Sequence, residues 1–200
     1  YYTPRYIVDY IVEHTVGASL AEQKAPAKLT VLDPACGSGS FLLGAYEYLL
    51  DWHLKAYVAE DPDSFCRGKS APLVKLGPGD YRLSLAERRR ILTDCLFGVD
   101  LDPQAVEVTK LNLLLKCMEG ENEQTLQPRL LGHERVLPNI DRNIKCGNSL
   151  IGWDYFEGQL MPEAAEIRRV RPFDWQSEFP EIMGAGGFDC VIGTPPYGAA

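Results

Sequence analysis

The sequence predicts an α/β fold with a parallel sheet. Short apolar segments that have the length of buried strands alternate with longer segments that have helical spacing. Two of the strand segments are followed at once by a helix-start signal, which is typical of the crossover units that join parallel strands. The chain has 200 residues, of which 46% are hydrophobic and 24% are charged, so it can bury the core of one domain.

The first strand lies between two predicted helices. Thr3 and Pro4 indicate the start of a helix, with Thr3 as its N-cap and Pro4 as its first residue. Residues 18–28 are predicted to be a solvent-exposed connection, and Leu29–Asp33 a buried strand that leads into a glycine-rich loop at 34–40. The next helix is predicted to bury a side formed by Phe41, Leu42, Ala45, Leu49 and Leu50.

The second strand follows a predicted surface insertion. Residues 55–83 contain three prolines and many charges, which is typical of a surface segment. The stretch Ser84–Glu87 matches a capping box and predicts a helix from 85 to about 93. Leu96–Asp100 is predicted as the second strand, and Asp102 then caps the next helix. The buried side of that helix is predicted to include Ala105, Val108, Leu111, Leu115 and Met118, where the helix ends.

The second half of the chain supplies two more predicted strands. Residues 119–141 are predicted to be rich in loops, and residues 143–147 to form a short third strand. A second irregular stretch is predicted over 153–187, which contains three prolines. The fourth strand, 188–192, must end at the proline pair that follows it, because proline cannot extend a sheet ladder.

The charge and cysteine patterns exclude several classes of function. The 28 acidic and 20 basic side chains give a formal net charge of −8, which argues against a chain that binds polyanions over its whole surface. The six cysteines form no CxxC pair and the three histidines are scattered, so no metal site is predicted. The longest apolar stretch, 41–50, is too short to span a bilayer. We therefore expect a soluble, cytoplasmic protein.

Three segments can carry chemistry. The first is the loop from Asp33 to Ser40, whose glycines permit a tight turn and whose following helix start can bind an anion. The loop lacks the third small residue of a dinucleotide fingerprint and the lysine of a Walker A motif, so a dehydrogenase is not favoured. The second is Asp100, an acid at a strand end where ribose hydroxyls are often bound. The third is the turn from Gly193 to Tyr197, whose aromatic ring can stack on a planar ligand.

Together and in this order, the segments resemble those of S-adenosylmethionine-dependent DNA methyltransferases that act on adenine N6. The resemblance is to the large restriction–modification and phage-defence enzymes, and it extends from residue 2 to residue 197. Its segments are Tyr2–Arg5, Asp33–Gly39, Phe97–Pro103, Ile144–Leu150 and Gly193–Tyr197. It implies a class I methyltransferase fold, which is a Rossmann-like, doubly wound, mostly parallel sheet.

The resemblance implies a binding site for S-adenosyl-L-methionine. Thr3 and the backbone of residues 35–39 would hold the methionine end, and Asp33 would face its ammonium group. Asp100 would accept hydrogen bonds from the ribose hydroxyls, and Leu101 would lie against the adenine ring. The full set of expected cofactor-binding residues is Tyr2, Thr3, Asp33, Ala35, Cys36, Gly37, Ser38, Gly39, Asp100, Leu101, Asn148 and Ser149, with the last two at the adenine edge.

The same resemblance implies a catalytic turn formed by Thr194, Pro195, Pro196 and Tyr197. The family has Asn or Asp at the first of these positions, where its oxygen and the next carbonyl hold the amine of a flipped-out base. Thr194 offers a shorter acceptor, and losing one preorganised contact of this kind costs roughly 10²- to 10³-fold in rate. We therefore expect cofactor binding with weak or no methyl transfer, and we expect Tyr197 to stack on the base.

Two alternatives stay open from the residues alone. A similar turn serves methyltransferases that act on an RNA base or a protein glutamine amide, and Thr194 would also fit a module that binds the cofactor without catalysis. A sheet of this class usually has about seven strands, so the four predicted strands indicate a partial catalytic core over residues 1–200. The other strands, a target-recognition domain and most contacts to double-stranded DNA are expected beyond residue 200. Restriction or defence subunits are candidate partners, and a membrane is not.

Overall fold

The structure is a computed structural model, and it describes residues 3–21, 23–68, 70–121, 137–158 and 161–194. The α-helices in these ranges are α1 (Arg5–Val12), α2 (Ala18–Leu20), α3 (Ser40–Ala59), α4 (Leu85–Cys95), α5 (Pro103–Met118), α6 (Ala164–Val170), α7 (Trp175–Glu178) and α8 (Pro180–Gly184). The strands are β1 (Val31–Asp33), β2 (Leu73–Gly77), β3 (Asp80–Leu83), β4 (Leu96–Asp100), β5 (Ile144–Cys146) and β6 (Cys190–Val191). None of these helices combines the length and the apolar sequence needed to cross a membrane.

Four strands form one parallel sheet in the order β5-β4-β1-β6. Val31 of β1 is paired with Leu96 of β4 on one side and with Cys190 of β6 on the other. The chain therefore moves from β1 through β4 to β5 in one direction and returns to β6 on the opposite side of β1. The loops at the carboxyl ends of β1 and β6 diverge at this reversal, which is where α/β sheets bind ligands. The predicted α/β class with a parallel sheet is confirmed.

Both faces of the sheet are covered, so the sheet is doubly wound. On one face, Val31 and Leu96 are buried in the main core with apolar side chains of α3, α4 and α5. On the other face, Leu32 belongs to a second cluster with Phe173 and Phe179. Neighbouring residues of a strand point to opposite faces, so consecutive residues of β1 are buried in different clusters. This burial on both faces explains the continuous apolar sequence of the strands.

The first helix begins one residue later than predicted. Pro4 is the cap residue, its backbone is extended (ψ 141°), and no side chain caps the helix. The prediction that Thr3 is the N-cap is therefore wrong, because Pro4 takes that place and its carbonyl accepts from the N–H of Ile7 (3.0 Å). A π-helical turn then joins α1 to α2, which ends at the buried Leu20. The exposed connection expected at 18–28 is shorter than predicted, because its first residues are helical.

Helix α5 has the predicted bounds, but a different side of it is buried. Asp102 caps the helix by accepting a hydrogen bond from the backbone N–H of Gln104 (2.9 Å). The buried side chains are Val106, Thr109, Leu113 and Cys117. The predicted burial of three others is wrong, since between 45% and 59% of each residue is exposed: Val108, Leu111 and Leu115. Apolar residues occupy several sides of this helix, so their spacing alone does not select the buried side.

Two segments contain more regular structure than predicted. The predicted surface insertion, 55–83, contains the end of α3 and an antiparallel hairpin of β2 and β3. Leu73 and Leu83, which pair at the base of this hairpin, are buried in the main core. The prediction of an irregular stretch at 153–187 is wrong, because this segment contains α6, α7 and α8. Its prolines lie at or beside helix ends, where proline is tolerated.

Candidate functional site

The glycine-rich loop connects β1 to α3 at the carboxyl edge of the sheet. Gly37 (φ +53°) and Gly39 (φ +87°) both have left-handed backbone conformations, which other residues adopt only at a cost. A Cβ atom on Gly39 would also lie 2.9 Å from the side chain of Thr109. The loop therefore depends on glycine at position 39 for two separate reasons. Helix α3 starts at Ser40, directly after the loop. The N–H groups of its first turn, which have no partner within the helix, therefore lie next to the loop.

Two side chains of α5 hold the loop from behind. The Thr109 hydroxyl donates a hydrogen bond to the carbonyl of Gly37 (2.7 Å), and the Asn112 amide donates to the carbonyl of Ser38 (3.1 Å). Thr109 is fully buried, so this contact is shielded from water. Neither residue is among the site residues predicted from the sequence. A polar residue on the buried side of an otherwise apolar helix needs a partner, which would have identified Thr109 if that side had been predicted correctly.

Asp100 joins the glycine loop to the loop after β4. Its Oδ2 atom accepts a hydrogen bond from the N–H of Gly37 (2.7 Å), and its Oδ1 atom accepts from the N–H of Asp102 (2.9 Å). The glycine loop and the end of β4, which are 63 positions apart, are thus in direct contact. Each carboxylate oxygen can accept a second hydrogen bond, so these contacts leave capacity for a hydroxyl group. The role of Asp100 toward ribose stays a prediction.

Asp33 is a buried carboxyl at the end of β1. Only 1% of the residue is exposed, and its Oδ1 atom accepts a hydrogen bond from the N–H of Ala35 (3.0 Å). The pKa of Asp33 is raised to about 7, mainly by burial and to a smaller extent by the nearby carboxylate of Asp100, while the hydrogen bond from the Ala35 N–H acts in the opposite direction. No basic side chain of the described residues forms an ion pair with it. A cationic group that reached this carboxyl would favour its ionised form.

Cys36 contributes its backbone to the loop and its side chain to the core. Its N–H donates a hydrogen bond to the carbonyl of Val99 (2.9 Å), and its side chain packs against Gly98, where a Cβ would lie 3.2 Å from the sulfur. Burial raises the pKa of the Cys36 thiol to about 12, with a smaller contribution from Asp33. The thiol is therefore protonated and unreactive at neutral pH.

The loops after β4 and β5 lie side by side. The N–H of Gly147 donates a hydrogen bond to the carbonyl of Asp100 (2.9 Å). The side chain of Asn148 accepts from the N–H of Leu150 (3.2 Å), which gives the loop a tight local turn. Leu101 is 47% exposed, so it offers an apolar surface on this edge. The structure places Leu101, Asn148 and Ser149 in adjacent loops, and their roles toward the cofactor stay a prediction.

The two ends of the described chain also reach this edge. Thr3 lines a cavity of about 150 Å³ together with Ser38 and Asn112, so it lies close to the glycine loop although it does not cap α1. Thr194 is exposed and follows Gly193, where a Cβ atom would lie 2.6 Å from Oδ1 of Asp33. The other expected site residues lie outside the described residues, namely Tyr2, Pro195, Pro196 and Tyr197.

A larger cavity lies at the opposite, amino edge of the sheet. Its volume is about 710 Å³, and it is lined by residues at the start of the strands, among them Thr30, Phe97 and Asn143. None of the predicted site residues that the structure describes lines it. The candidate site at the carboxyl edge is therefore defined by its loops and their hydrogen bonds, and not by having the larger cavity.

Comparison with curated proteins shows restriction–modification relatives. RM.Eco57I of Escherichia coli, a type II restriction enzyme and methyltransferase, is 30% identical over 201 residues, which cover 98% of this chain and 17% of the relative. The adenine-specific methyltransferase PglX of Streptomyces coelicolor is 26% identical over 205 residues, which cover 98% of this chain and 14% of the relative. The chain thus spans less than a fifth of the length of these relatives.

Solved structures and family models complete the comparison. The M protein of the type I restriction enzyme EcoKI aligns with 82% of this chain and 23% of its own, with a TM-score of 0.40 and 22% identity. The model of the family described as Eco57I restriction-modification methylase matches residues 94–200. The model described as N-6 DNA Methylase matches residues 1–136, which include the glycine loop, Asp100 and α5. Both models cover Asp100 and α5, and the chain belongs to the N-6 DNA methylase family and to the Eco57I restriction-modification methylase family.

Proposed function

We propose that this chain holds the methyl donor, and part of the catalytic machinery, of a DNA methyltransferase that modifies adenine N6. The observation that carries the proposal is the convergence of Asp33, Gly37, Asp100, Leu101 and Asn148 on one edge of the sheet, at the reversal of strand order. In a member of the N-6 DNA methylase family, this convergence supports a donor site rather than a structural turn.

The residues fit S-adenosyl-L-methionine part by part. The buried Asp33 carboxyl suits an ammonium group, and the free N–H groups at the start of α3 suit a carboxylate. Asp100 retains acceptor capacity for a ribose diol, and the exposed Leu101 offers an apolar wall for adenine, with Asn148 and Ser149 at its edge. When bound, this cofactor supplies an electrophilic methyl group on a sulfonium centre.

The chain's own residues would hold the target amine. In this proposal, the Thr194 hydroxyl and the Pro195 carbonyl accept hydrogen bonds from the two N–H groups of the amine, which directs its lone pair toward the donor. Tyr197 would stack on the flipped-out base. Since the Thr194 hydroxyl is shorter than the amide of Asn, we expect it to hold the amine less well and transfer to be slow.

The proposed partner is double-stranded DNA. With a net charge of −8, this chain is suited to bind the methyl donor rather than many DNA phosphates. In this proposal, more basic parts of the protein bind most of the phosphates. Restriction or defence subunits are proposed as further partners. Family membership does not favour RNA or a glutamine amide as the substrate, and the proposal of a non-catalytic module rests on Thr194 alone.

The test is calorimetric titration with S-adenosyl-L-methionine. We expect the wild type to bind and Asp100→Ala to bind much more weakly, because Asp100 both orders Gly37 and faces the ribose. Asp94→Ala is the matched control, since Asp94 lines the cavity at the amino edge. A folded wild type that does not bind the cofactor would overturn the proposal. Transfer of labelled methyl groups to DNA, RNA and protein then separates the substrates.

A further inference from the structure

Arg171 has an unusual backbone for its residue type. It follows the last residue of α6 and has a left-handed conformation (φ 50°, ψ 58°), which is the one positive φ of a non-glycine residue in the described part of the chain. Glycine normally takes this place at a helix end. Arg171 is exposed, so burial of its side chain does not account for an arginine here, whereas its polar contacts are extensive.

Those contacts reach both loops that flank the expected adenine position. The backbone carbonyl of Arg171 accepts a hydrogen bond from the N–H of Asn148 (2.7 Å). Its guanidinium Nη1 donates to the carbonyl of Leu101 (2.9 Å), a residue 70 positions away, and lies 3.4 Å from Sγ of Cys146. The two loops also touch directly, since the N–H of Gly147 donates to the carbonyl of Asp100 (2.9 Å) and Sγ of Cys146 to the carbonyl of Leu101 (3.6 Å). Arg171 adds a further connection between them.

The residues after Arg171 extend the contact with the second loop. Pro172 pairs with Asn148 in a parallel bridge, and the N–H of Phe173 donates to the carbonyl of Ile151 (2.8 Å). The indole N–H of Trp175 donates to the carbonyl of Ser149 (3.2 Å). These contacts hold the loop after β5 but do not involve Leu101. Among these neighbours, Arg171 alone reaches Leu101, so its side chain adds a constraint on the distance between the two loops to the direct contacts between them.

We infer that Arg171 is a positioning residue that sets the spacing between Leu101 and Asn148, and thereby the affinity for the adenosine half of the methyl donor. It acts through two loops and touches no ligand in this account. The inference rests on the proposed function, because it requires an adenosine group between the two loops. A residue that served only to end α6 would need no guanidinium contact with a loop 70 residues away.

The test uses three variants of the chain. Arg171→Met keeps most of the side-chain stem and removes the donor, while Arg171→Lys keeps one donor with a shorter reach. Arg169→Met is the matched control, because Arg169 lies on α6, its side chain is 74% exposed and it pairs only with Glu166 (3.6 Å) among the described residues. Each protein is titrated with S-adenosyl-L-methionine and with 5′-methylthioadenosine, which has the adenosine half but no amino-acid group.

We expect Arg171→Met to weaken both ligands by the same factor, about fivefold, which is the typical net effect of one exposed hydrogen bond. Arg171→Lys should recover part of the loss, and Arg169→Met should bind like the wild type. The midpoint of thermal unfolding should fall by no more than about 2–4 °C, which corresponds to the loss of one hydrogen bond.

Several results would overturn the inference. Wild-type affinity of Arg171→Met for both ligands would do so, as would a loss confined to S-adenosyl-L-methionine, because the effect would then lie on the methionine side. An unfolding midpoint of Arg171→Met low enough to leave part of the protein unfolded at the titration temperature, with Arg169→Met unaffected, would show a general structural role instead. A folded wild type that binds neither ligand would overturn both this inference and the proposed function, whereas the first three results leave the proposed function intact.

Discussion

Asp33→Asn should stabilise the protein at neutral and alkaline pH. Burial raises the pKa of Asp33 from its ordinary value of 3.8 to about 7. The folded protein therefore retains a proton that the unfolded chain releases, and the free energy of unfolding falls as the pH rises from about 4 to about 7. The difference between the two pKa values corresponds to about 4 kcal/mol. Asparagine has the same shape and can still accept from the N–H of Ala35.

Urea unfolding, followed by circular dichroism at several pH values, measures this effect. The free energy of unfolding of Asp33→Asn, minus that of the wild type, should grow by up to about 4 kcal/mol between pH 4 and pH 7.5. Other titrating groups cancel in this difference. Asp94→Asn is the control, because the Asp94 side chain is 52% exposed and its substitution should give no such trend. A difference that stays constant over this pH range would refute the argument from burial.

The same carboxyl should couple cofactor binding to proton release. If the proposed cofactor places its ammonium group against Asp33, binding at pH 6 converts a largely protonated carboxyl into a carboxylate. Calorimetry in buffers of different ionisation enthalpy should then show release of nearly one proton by the wild type and of none by Asp33→Asn. Equal proton release by both proteins would place the ammonium group elsewhere.

Three further predictions concern other residues. Thr194→Asn should raise the single-turnover rate of methyl transfer to DNA by about 10²-fold, and equal rates would show that the threonine hydroxyl suffices. Thr109→Val removes the donor to the Gly37 carbonyl (2.7 Å) and should weaken cofactor binding about five- to tenfold in a titration; Thr93→Val, which loses only contacts near the end of α4, should not. Burial lowers the pKa of His53, so the folded protein holds this side chain neutral and binds fewer protons there than the unfolded chain. The contribution of neutral His53 to the free energy of unfolding is therefore complete above pH 6.5 and is lost as the pH falls. A His53→Gln variant whose thermal unfolding is as sensitive to acid as that of the wild type would contradict this.

Local signals predicted the elements that position the site. A continuous apolar run that ends in an acid gave the bounds of β4, and the Asp102-Pro103 pair gave the start of α5. These signals lie within a few residues of what they determine, because caps and strand ends are formed by neighbours in the sequence. For the same reason the glycine loop and Asp100 could be placed at strand ends before the fold was known.

Contacts between distant residues could not be predicted in this way. The buried side of α5 is the side that carries Thr109, whose partner Gly37 lies 72 positions earlier. Arg171 lies in a stretch predicted to be irregular, and its partner Leu101 is 70 positions away. Nothing in the spacing of either segment indicates the pairing, since it arises only when the sheet order places the loops together.

The position of Asp33 links the proposed donor site to the proposed catalytic turn. Its Oδ1 atom accepts a hydrogen bond from the N–H of Ala35 in the glycine loop. The same atom lies so close to Gly193 that a Cβ on that glycine would be only 2.6 Å away. Gly193 has a φ of +145°, so both its conformation and its neighbour exclude a side chain there. Thr194 follows directly, so the carboxyl that the cofactor is proposed to ionise lies against the residue that precedes Thr194. A change at Asp33 should consequently alter methyl transfer as well as donor affinity, whereas a change at Arg171 should alter donor affinity alone.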